Sequence, residues 1–483
     1  MSNKIVVKFG GSNLKDSQDY SRLARIVKSY NQPLIIVVSA YFGLTNKIIE
    51  VLEKAPKSRQ AIEIFIDDLY NLKTKLVKEN IHSEQHREEA LRHLNERINK
   101  LHQLLKSIHF IGEIPKFLYD QVLSFGERLN ALLISAILKD RGFACEEALP
   151  ENIGLYTDGI FGQSSTDFEK SSLPVQESLK GDKIYVVPGF YGISTEGKIT
   201  LFGRGGSDYT AASIAGCIKA KSVDVWKDVR GFLSADPKFV NDTSTIKNLS
   251  YDEAAELAYF GARILHPETV SPIKPSKIPL RILDVENFNL DILPATIING
   301  HSPQHAGIIK SITYSDDFGI LRLRGAGIGA RPGILAEATH RLEEEKVNIK
   351  SVITSQTSIN ILLSKTDLEK AFRSIAKSPL KSVNKVSKKE DISVIAAVGD
   401  GLNHEPGVMA KILGAVASKN INIQTIVMGA SAVSAYLIVA SEDRNPAVKI
   451  IHESLFENQE AVLSGQWAVH SWQLAAQSFT RAF

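Results

Sequence analysis

Several protein classes are excluded by what this chain lacks. Its 483 residues include only 2 cysteines, Cys145 and Cys217, too few for a disulfide framework or a four-thiolate zinc site, and that scarcity fits a reducing cytoplasm. Charge of one sign is missing too. The 57 Lys+Arg residues stand against 54 Asp+Glu, a formal net charge of +3, so no chain-wide basic footprint exists for nucleic acid or a membrane surface. Long apolar runs are absent: MSNKIVVKFGGS reaches glycine before it could form a signal-peptide core, and no later run has the roughly eighteen uninterrupted apolar residues of a membrane span. Neither nucleic acid nor membrane is expected as a partner. At 43% hydrophobic and 23% charged residues, the composition is that of a globular protein with more than one domain.

What is present is an alternation. IVVKF (Ile5 to Phe9), PLIIVVSA (Pro33 to Ala40), KIYVVPGF (Lys183 to Phe190) and SVDVW (Ser222 to Trp226) read as buried strands bounded by Gly, Pro or Ser. Amphipathic helical patterns lie between them, among them Gln18 to Tyr30, Leu118 to Leu138 and Tyr209 to Lys219. Strand and helix in turn predict an α/β domain over 1–300, with a mainly parallel sheet sandwiched by helices. Glu50 to Ser107 reads as a polar helical hairpin laid over one side of that domain.

The second organising feature is an internal repeat. Gly325 pairs with Gly399, Pro332 with Pro406, Gly333 with Gly407, Asn348 with Asn422 and Ile349 with Ile423, without a gap. Each copy predicts a ferredoxin-like βαββαβ unit, the first over 316–390 and the second over 391–460. In the first, Thr366 and Glu369 suggest a capping box. Residues 461–483 fit neither pattern.

Three glycine arrangements need separating. Gly192 to Lys198 nearly makes a phosphate-binding loop, but Ile199 stands where Ser or Thr would hold magnesium, so it reads as a hairpin turn. Gly325 to Ala330 lacks the downstream acid of a dinucleotide site and belongs to the repeat. The third, Lys8-Phe9-Gly10-Gly11-Ser12, ends a strand before a helix, where free backbone amides and the Lys8 ammonium can meet phosphate oxygens. A second loop of that kind, Gly203-Arg204-Gly205-Gly206-Ser207-Asp208, strengthens it: Ser207 is a candidate helix cap, and Arg204 offers a fork of donors for an anion. Glu127 falls off the core stripe of its helix and, on periodicity alone, reads as solvated. His82, His86 and His93 share a helical face but have no zincin carboxylate, so no metal site is expected.

In this order the motifs resemble the amino-acid kinase superfamily and, within it, the aspartate kinases. The likeness rests on Lys8 to Gly11, Phe125-Gly126-Glu127, Gly203 to Asp208, Trp226 to Val229, Asp236-Pro237, His266-Pro267 and the two repeats, which are similar to ACT domains. At four positions the family commonly has another residue: threonine for Lys227, tyrosine for Leu233, arginine for Lys238 and lysine for Arg263. The resemblance implies transfer of the γ-phosphoryl of ATP, with Mg2+ held mainly by the phosphates, to the side-chain carboxylate of L-aspartate. That is the first step toward lysine, threonine and methionine.

By the same resemblance Lys8 and Asp208 are catalytic, and Ser39, Thr45, Glu127 and Arg204 bind substrate. Lys8, Phe9, Gly10, Gly11, Lys227, Asp228, Leu233, Lys238, Arg263 and Ile264 bind nucleotide. A feedback amino acid, lysine or threonine, is expected at Gly327, Pro332, Thr354, Ser355, Gln356 and Ser358, coupled across a linker near Gly307 to Asp317. ACT pairing between chains implies a homodimer or larger. With 23 residues after Glu460, no dehydrogenase activity is expected. A catalytically silent amino-acid sensor on a kinase-like fold is the alternative.

Overall fold

The computed structural model describes residues 3–262, 264–300, 309–377, 380–403 and 405–457. They fall into two compact units, and the chain passes between them more than once. The first holds 3–232, 245–259 and 264–300; the second holds 233–244, 260–262 and the residues described from 309 onward.

The strands of the first unit are β1 (Ile5–Phe9), β2 (Leu34–Val38), β3 (Cys145–Glu147), β4 (Ile184–Pro188), β5 (Tyr191–Ile193), β6 (Ile199–Leu201), β7 (Ser222–Lys227), β8 (Asn248–Leu249), β9 (Leu280–Asp284) and β10 (Thr296–Ile298). Eight of them form one sheet in the order β3-β4-β2-β1-β7-β9-β10-β8, while β5 and β6 make a separate hairpin around the Gly192 to Lys198 turn. Every pairing in the large sheet is parallel except β9 with β10. β1, β2 and β4 are buried at every position, which is why they read as unbroken apolar runs rather than alternating ones.

Ten α-helices lie in the described part of this unit: α1 (Ser17–Tyr30), α2 (Leu44–Lys54), α3 (Arg59–Asn80), α4 (Glu84–Ile111), α5 (Lys116–Leu123), α6 (Phe125–Asp140), α7 (Pro150–Ile153), α8 (Phe168–Ser178), α9 (Gly206–Ile218) and α10 (Tyr251–Tyr259). α1 is stopped at both ends by local chemistry. Asp16 accepts from the backbone of Gln18 and Asp19, and Asn31 closes the helix in the left-handed region at φ 48°. The helix expected from Leu118 to Leu138 is two helices, broken at Ser124, whose hydroxyl donates to the Gln121 carbonyl at 2.7 Å. His82 lies before α4, capped by Ser83, and does not share that helix's face with His86 and His93.

The second unit contains β11 (Ser311–Ser315), β12 (Phe318–Arg324), β13 (Ile349–Thr354), β14 (Ser358–Ser364), β15 (Lys385–Lys389), β16 (Ile392–Val398), β17 (Thr425–Val427) and β18 (Ser434–Ala440), with α11 (Ile334–Glu344), α12 (Lys365–Lys377), α13 (Val408–Ser418) and α14 (Arg444–His452). Its two four-stranded sheets run β13-β14-β12-β15 and β11-β16-β18-β17. The first is a continuous βαββαβ unit. The second takes its edge strand from upstream, Ser311 pairing with Val398 and Ser315 with Val394, so the first unit is nested inside the second. The stretch expected as a linker, Gly307 to Asp317, is therefore a sheet strand from 311 to 315, and its first residues lie outside the described part. No capping box forms at Thr366 and Glu369: the Glu369 carboxylate instead accepts from Arg373 at 2.7 Å and from Lys388 at 2.6 Å. The tail at 461–483 also lies outside the described residues.

Candidate active site

Alternation along β1 sends Val7 and Phe9 into the core and Lys8 to the opposite face, beneath α9. Lys8 lies beside Val225 of β7, so Lys227, two residues on, shares its face. Asp208, in the first turn of α9, meets both lysines. It is ion-paired with Lys8, and the Lys227 Nζ is 3.0 Å from its other oxygen. Lys8 and Asp208 are each only 4% exposed. Burial pushes the Lys8 ammonium down to about 8, with the neighbouring Lys227 charge acting the same way and Asp208 opposing. Burial alone would raise the Asp208 carboxyl, but Lys227 and Lys8 outweigh it and hold it at about 2.

The glycines beyond β1 let two backbones approach. A Cβ on Gly11 would stand 3.0 Å from the Ala40 carbonyl, while Ser39, just past β2, donates its N–H to Phe9 at 3.2 Å. A Cβ on Gly10 would be 3.5 Å from the Lys8 Nζ. Ser12 donates to Asp228 at 3.2 Å, tying this loop to the end of β7. Facing it, Gly205 at φ 70° precedes α9 as its N-cap. A Cβ there would fall 2.3 Å from that of His266, which accounts for a glycine beside the His266-Pro267 motif. Ser207, expected as the cap, lies inside the helix and is buried. Arg204 is exposed on the turn between Gly203 and Gly205.

The other side is built by α6. Its close approach requires Gly126, where a Cβ would be 2.9 Å from that of Ala40 and 3.8 Å from the Thr45 Oγ1. Glu127 follows and is 4% exposed, not solvated as periodicity alone suggested, because helix α6 is buried on nearly every side. Burial raises its carboxyl to about 8, against the Ala40 N–H and the charges of Lys8 and Lys73; its Oε2 has no hydrogen-bond partner. Asn130, one helical turn on, donates to the Ser39 carbonyl at 2.7 Å and accepts from Tyr20 at 2.6 Å. Sequence reasoning passed over both Asn130 and Lys73. Each carries a signal: Asn130 is at i+3 from Glu127, and Lys73 interrupts an apolar helical stripe.

Lys8, Phe9, Gly10, Gly11, Ser39, Thr45, Glu127, Asp208, Lys227 and Asp228 are thus gathered at the carboxyl ends of adjacent parallel strands, the usual crevice of an open α/β sheet. Leu233 and Lys238 belong to the second unit, Ile264 is half-buried in the first, and Arg263 lies outside the described residues. Of the expected effector residues, the Gly327 turn and the Gln356 turn are adjacent: Gly329 donates to the Gln356 carbonyl and Gly325 to that of Thr357, each at 2.9 Å. Ser355 and Ser358 share a 2.8 Å hydroxyl contact, and Pro332, Thr354, Ser355 and Gln356 are exposed. Among the described residues no three His, Cys, Asp or Glu side chains gather as a metal site.

A buried carboxylate clamped between two ammoniums, beside glycine turns and a second buried carboxylate, suits the meeting of a phosphorylated ligand with an amino acid. The family model for the amino acid kinase family matches residues 3–284, and that for an ACT domain matches 321–378 and 395–455. The chain belongs to the amino acid kinase family. It is 30% identical over 477 residues to aspartokinase 2, chloroplastic, of Arabidopsis thaliana, covering 94% of this chain and 84% of that protein. To the bifunctional aspartokinase/homoserine dehydrogenase of Haemophilus influenzae it is 29% identical, covering 95% of this chain but 57% of the relative's length. The crystal structure of Escherichia coli aspartokinase III in complex with aspartate and ADP superposes with a TM-score of 0.78 at 25% identity, covering 94% and 99% of the two chains; the complex of the same enzyme with lysine and aspartate gives 0.76. Within its family this chain falls among the aspartokinases.

Proposed function

We propose that the protein transfers the γ-phosphoryl group of ATP to the side-chain carboxylate of L-aspartate, giving 4-phospho-L-aspartate, the first committed step toward lysine, threonine and methionine, in the cytoplasm. The observation that carries this reading is the buried Lys8–Asp208–Lys227 cluster a short way from buried Glu127. An aspartate carboxylate is ionised at neutral pH, so no general base is needed; the barrier lies in bringing two anions together. Lys8 and the amides at Gly10 and Gly11 neutralise the transferring phosphoryl. Asp208 favours the charged form of Lys8 and aims both Lys8 and Lys227. Glu127 takes the α-ammonium of the substrate, with Ser39, Thr45 and Arg204 orienting its carboxylates. Mg2+ is assigned to the phosphate oxygens of ATP, where it supplies further charge neutralisation.

Feedback by lysine or threonine is assigned to the first ACT unit, where the Gly327 and Gln356 turns adjoin, and pairing of ACT units between two chains makes the protein a homodimer or larger. The test is ADP release measured with and without L-aspartate. Strict dependence on aspartate is expected; no stimulation would remove the kinase reading and leave an amino-acid sensor.

A further inference from the structure

Helix α3 carries an apolar stripe of Ile62, Ile66, Leu69, Leu76 and Val77, and Lys73 stands within it, 0% exposed. Its Nζ has no hydrogen-bond partner and lies 5.5 Å from the centroid of the Tyr41 ring. A lysine buried in this way is costly unless a compensating charge is close. α3 packs against α1, α2, α4 and α6, and the charge among them that acts on Lys73 is that of Glu127 on α6. The other titratable groups on those helices are engaged or exposed. Tyr20 of α1 donates to Asn130, His102 of α4 is 2.8 Å from Glu63, Arg128 of α6 is 2.7 Å from Glu151, and Lys47, Glu50 and Glu53 of α2 face outward. From the sheet side Glu127 senses Lys8, but Lys8 is committed to Asp208. Lys73 and Glu127 are therefore two fully buried, oppositely charged groups, each with one polar atom unmatched.

We propose that Lys73 is a positioning residue for the amino-acid substrate: its buried ammonium biases Glu127 toward the ionised form that receives the substrate's α-ammonium. This rests on the aspartate kinase reading above. Burial and the mutual attraction of the two groups act in opposite directions. Burial drives Glu127 toward its neutral form, at about 8, and Lys73 toward its own, at about 7, and each charge restrains the other. Without Lys73, Glu127 keeps its proton to higher pH and offers the substrate a neutral carboxyl.

The experiment is the pH profile of kcat/KM for L-aspartate in the parent, Lys73→Met and Lys73→Gln proteins, with inhibition by succinate, an aspartate lacking its ammonium, measured alongside. At pH 7 the variants are expected to show a KM for aspartate about tenfold higher, with the acid limb moved up by about one pH unit. kcat should stay within about threefold, and succinate should inhibit as before. An unchanged KM and acid limb, or an equal loss of succinate binding, overturns the proposal. So does failure of both variants to fold, because a role confined to substrate positioning requires that Glu127, left without Lys73, take up a proton and the fold survive. A parent that releases no ADP in response to aspartate would instead remove the kinase reading itself.

Discussion

At the glycine end of the site, Asp208 is in direct ion-pair contact with Lys8 and Lys227, whereas at the helix end Glu127 and Lys73 sense each other without an ion-pair contact between them. Both clusters are removed from water, yet their titration differs in kind. Asp208 is held well below an ordinary carboxylate by two ammoniums, while Glu127 is lifted to about 8 because burial outweighs its partners. Direct pairing makes the first cluster part of what holds β1, β7 and α9 together. Incomplete pairing leaves the second one poised for a ligand that brings its own positive charge.

Breaking the paired end should do the most damage. Asp208→Asn leaves the buried Lys8 ammonium facing the half-buried one of Lys227, and losing one partner of a buried ion pair costs about 3–5 kcal/mol, so the first thermal transition should drop by roughly 10 °C. A Tm like the parent's would show that the cluster is not structural. Next in size is Lys8→Met, which removes the charge facing the transferring phosphoryl; turnover should fall roughly 10²-fold or more, and a loss within about threefold would sink the assignment.

The pH profile then sharpens the contrast between the two ends. Lys8, lowered to about 8, loses its charge as pH rises through that value, while Glu127, raised to about 8, loses its charge as pH falls through it. The kcat/KM for aspartate should therefore be bell-shaped near pH 8, and the alkaline limb should vanish in Lys8→Met. A single acid limb near pH 4 would contradict the burial of Glu127. The smallest effect belongs to the regulatory turns. Gln356→Ala should raise the lysine or threonine concentration needed for half inhibition severalfold with turnover unchanged, and equal sensitivity in the variant would move the effector site elsewhere.

Much of this architecture can be read from residue order. The buried strands at Ile5, Leu34, Ile184 and Ser222 announce themselves as apolar runs, and the two glycine loops mark where the crevice opens. What pattern could not reveal depends on packing around an element rather than along it. Periodicity assumes one buried face, but 12 of the 16 residues of α6 are buried, so Glu127 lies inside although it is off the stripe. Lys73 is the converse: it sits on the apolar stripe, but in a hairpin read as polar a lysine passes for one more solvated residue. Ser207 looked like a cap because its residue type is right; the close passage of His266 gives that place to Gly205. The repeat, for its part, records similarity of segments and carries nothing about which strand borders which.

Strand order also governs how the chain is made. β11 leaves the ribosome before the whole of the first ACT unit, yet its strand partner among the described residues, β16, is not synthesised until that unit is complete. The intervening domain can fold first and, in doing so, draws its two ends together, so that β11 is held close to where β16 will emerge and the entropy of closing so long a loop is largely met in advance. A mutation that unfolds the inner domain would then be felt in the outer one as a strand that arrives late, and a cut between residues 315 and 318 would separate a sheet from its own edge rather than one domain from the next.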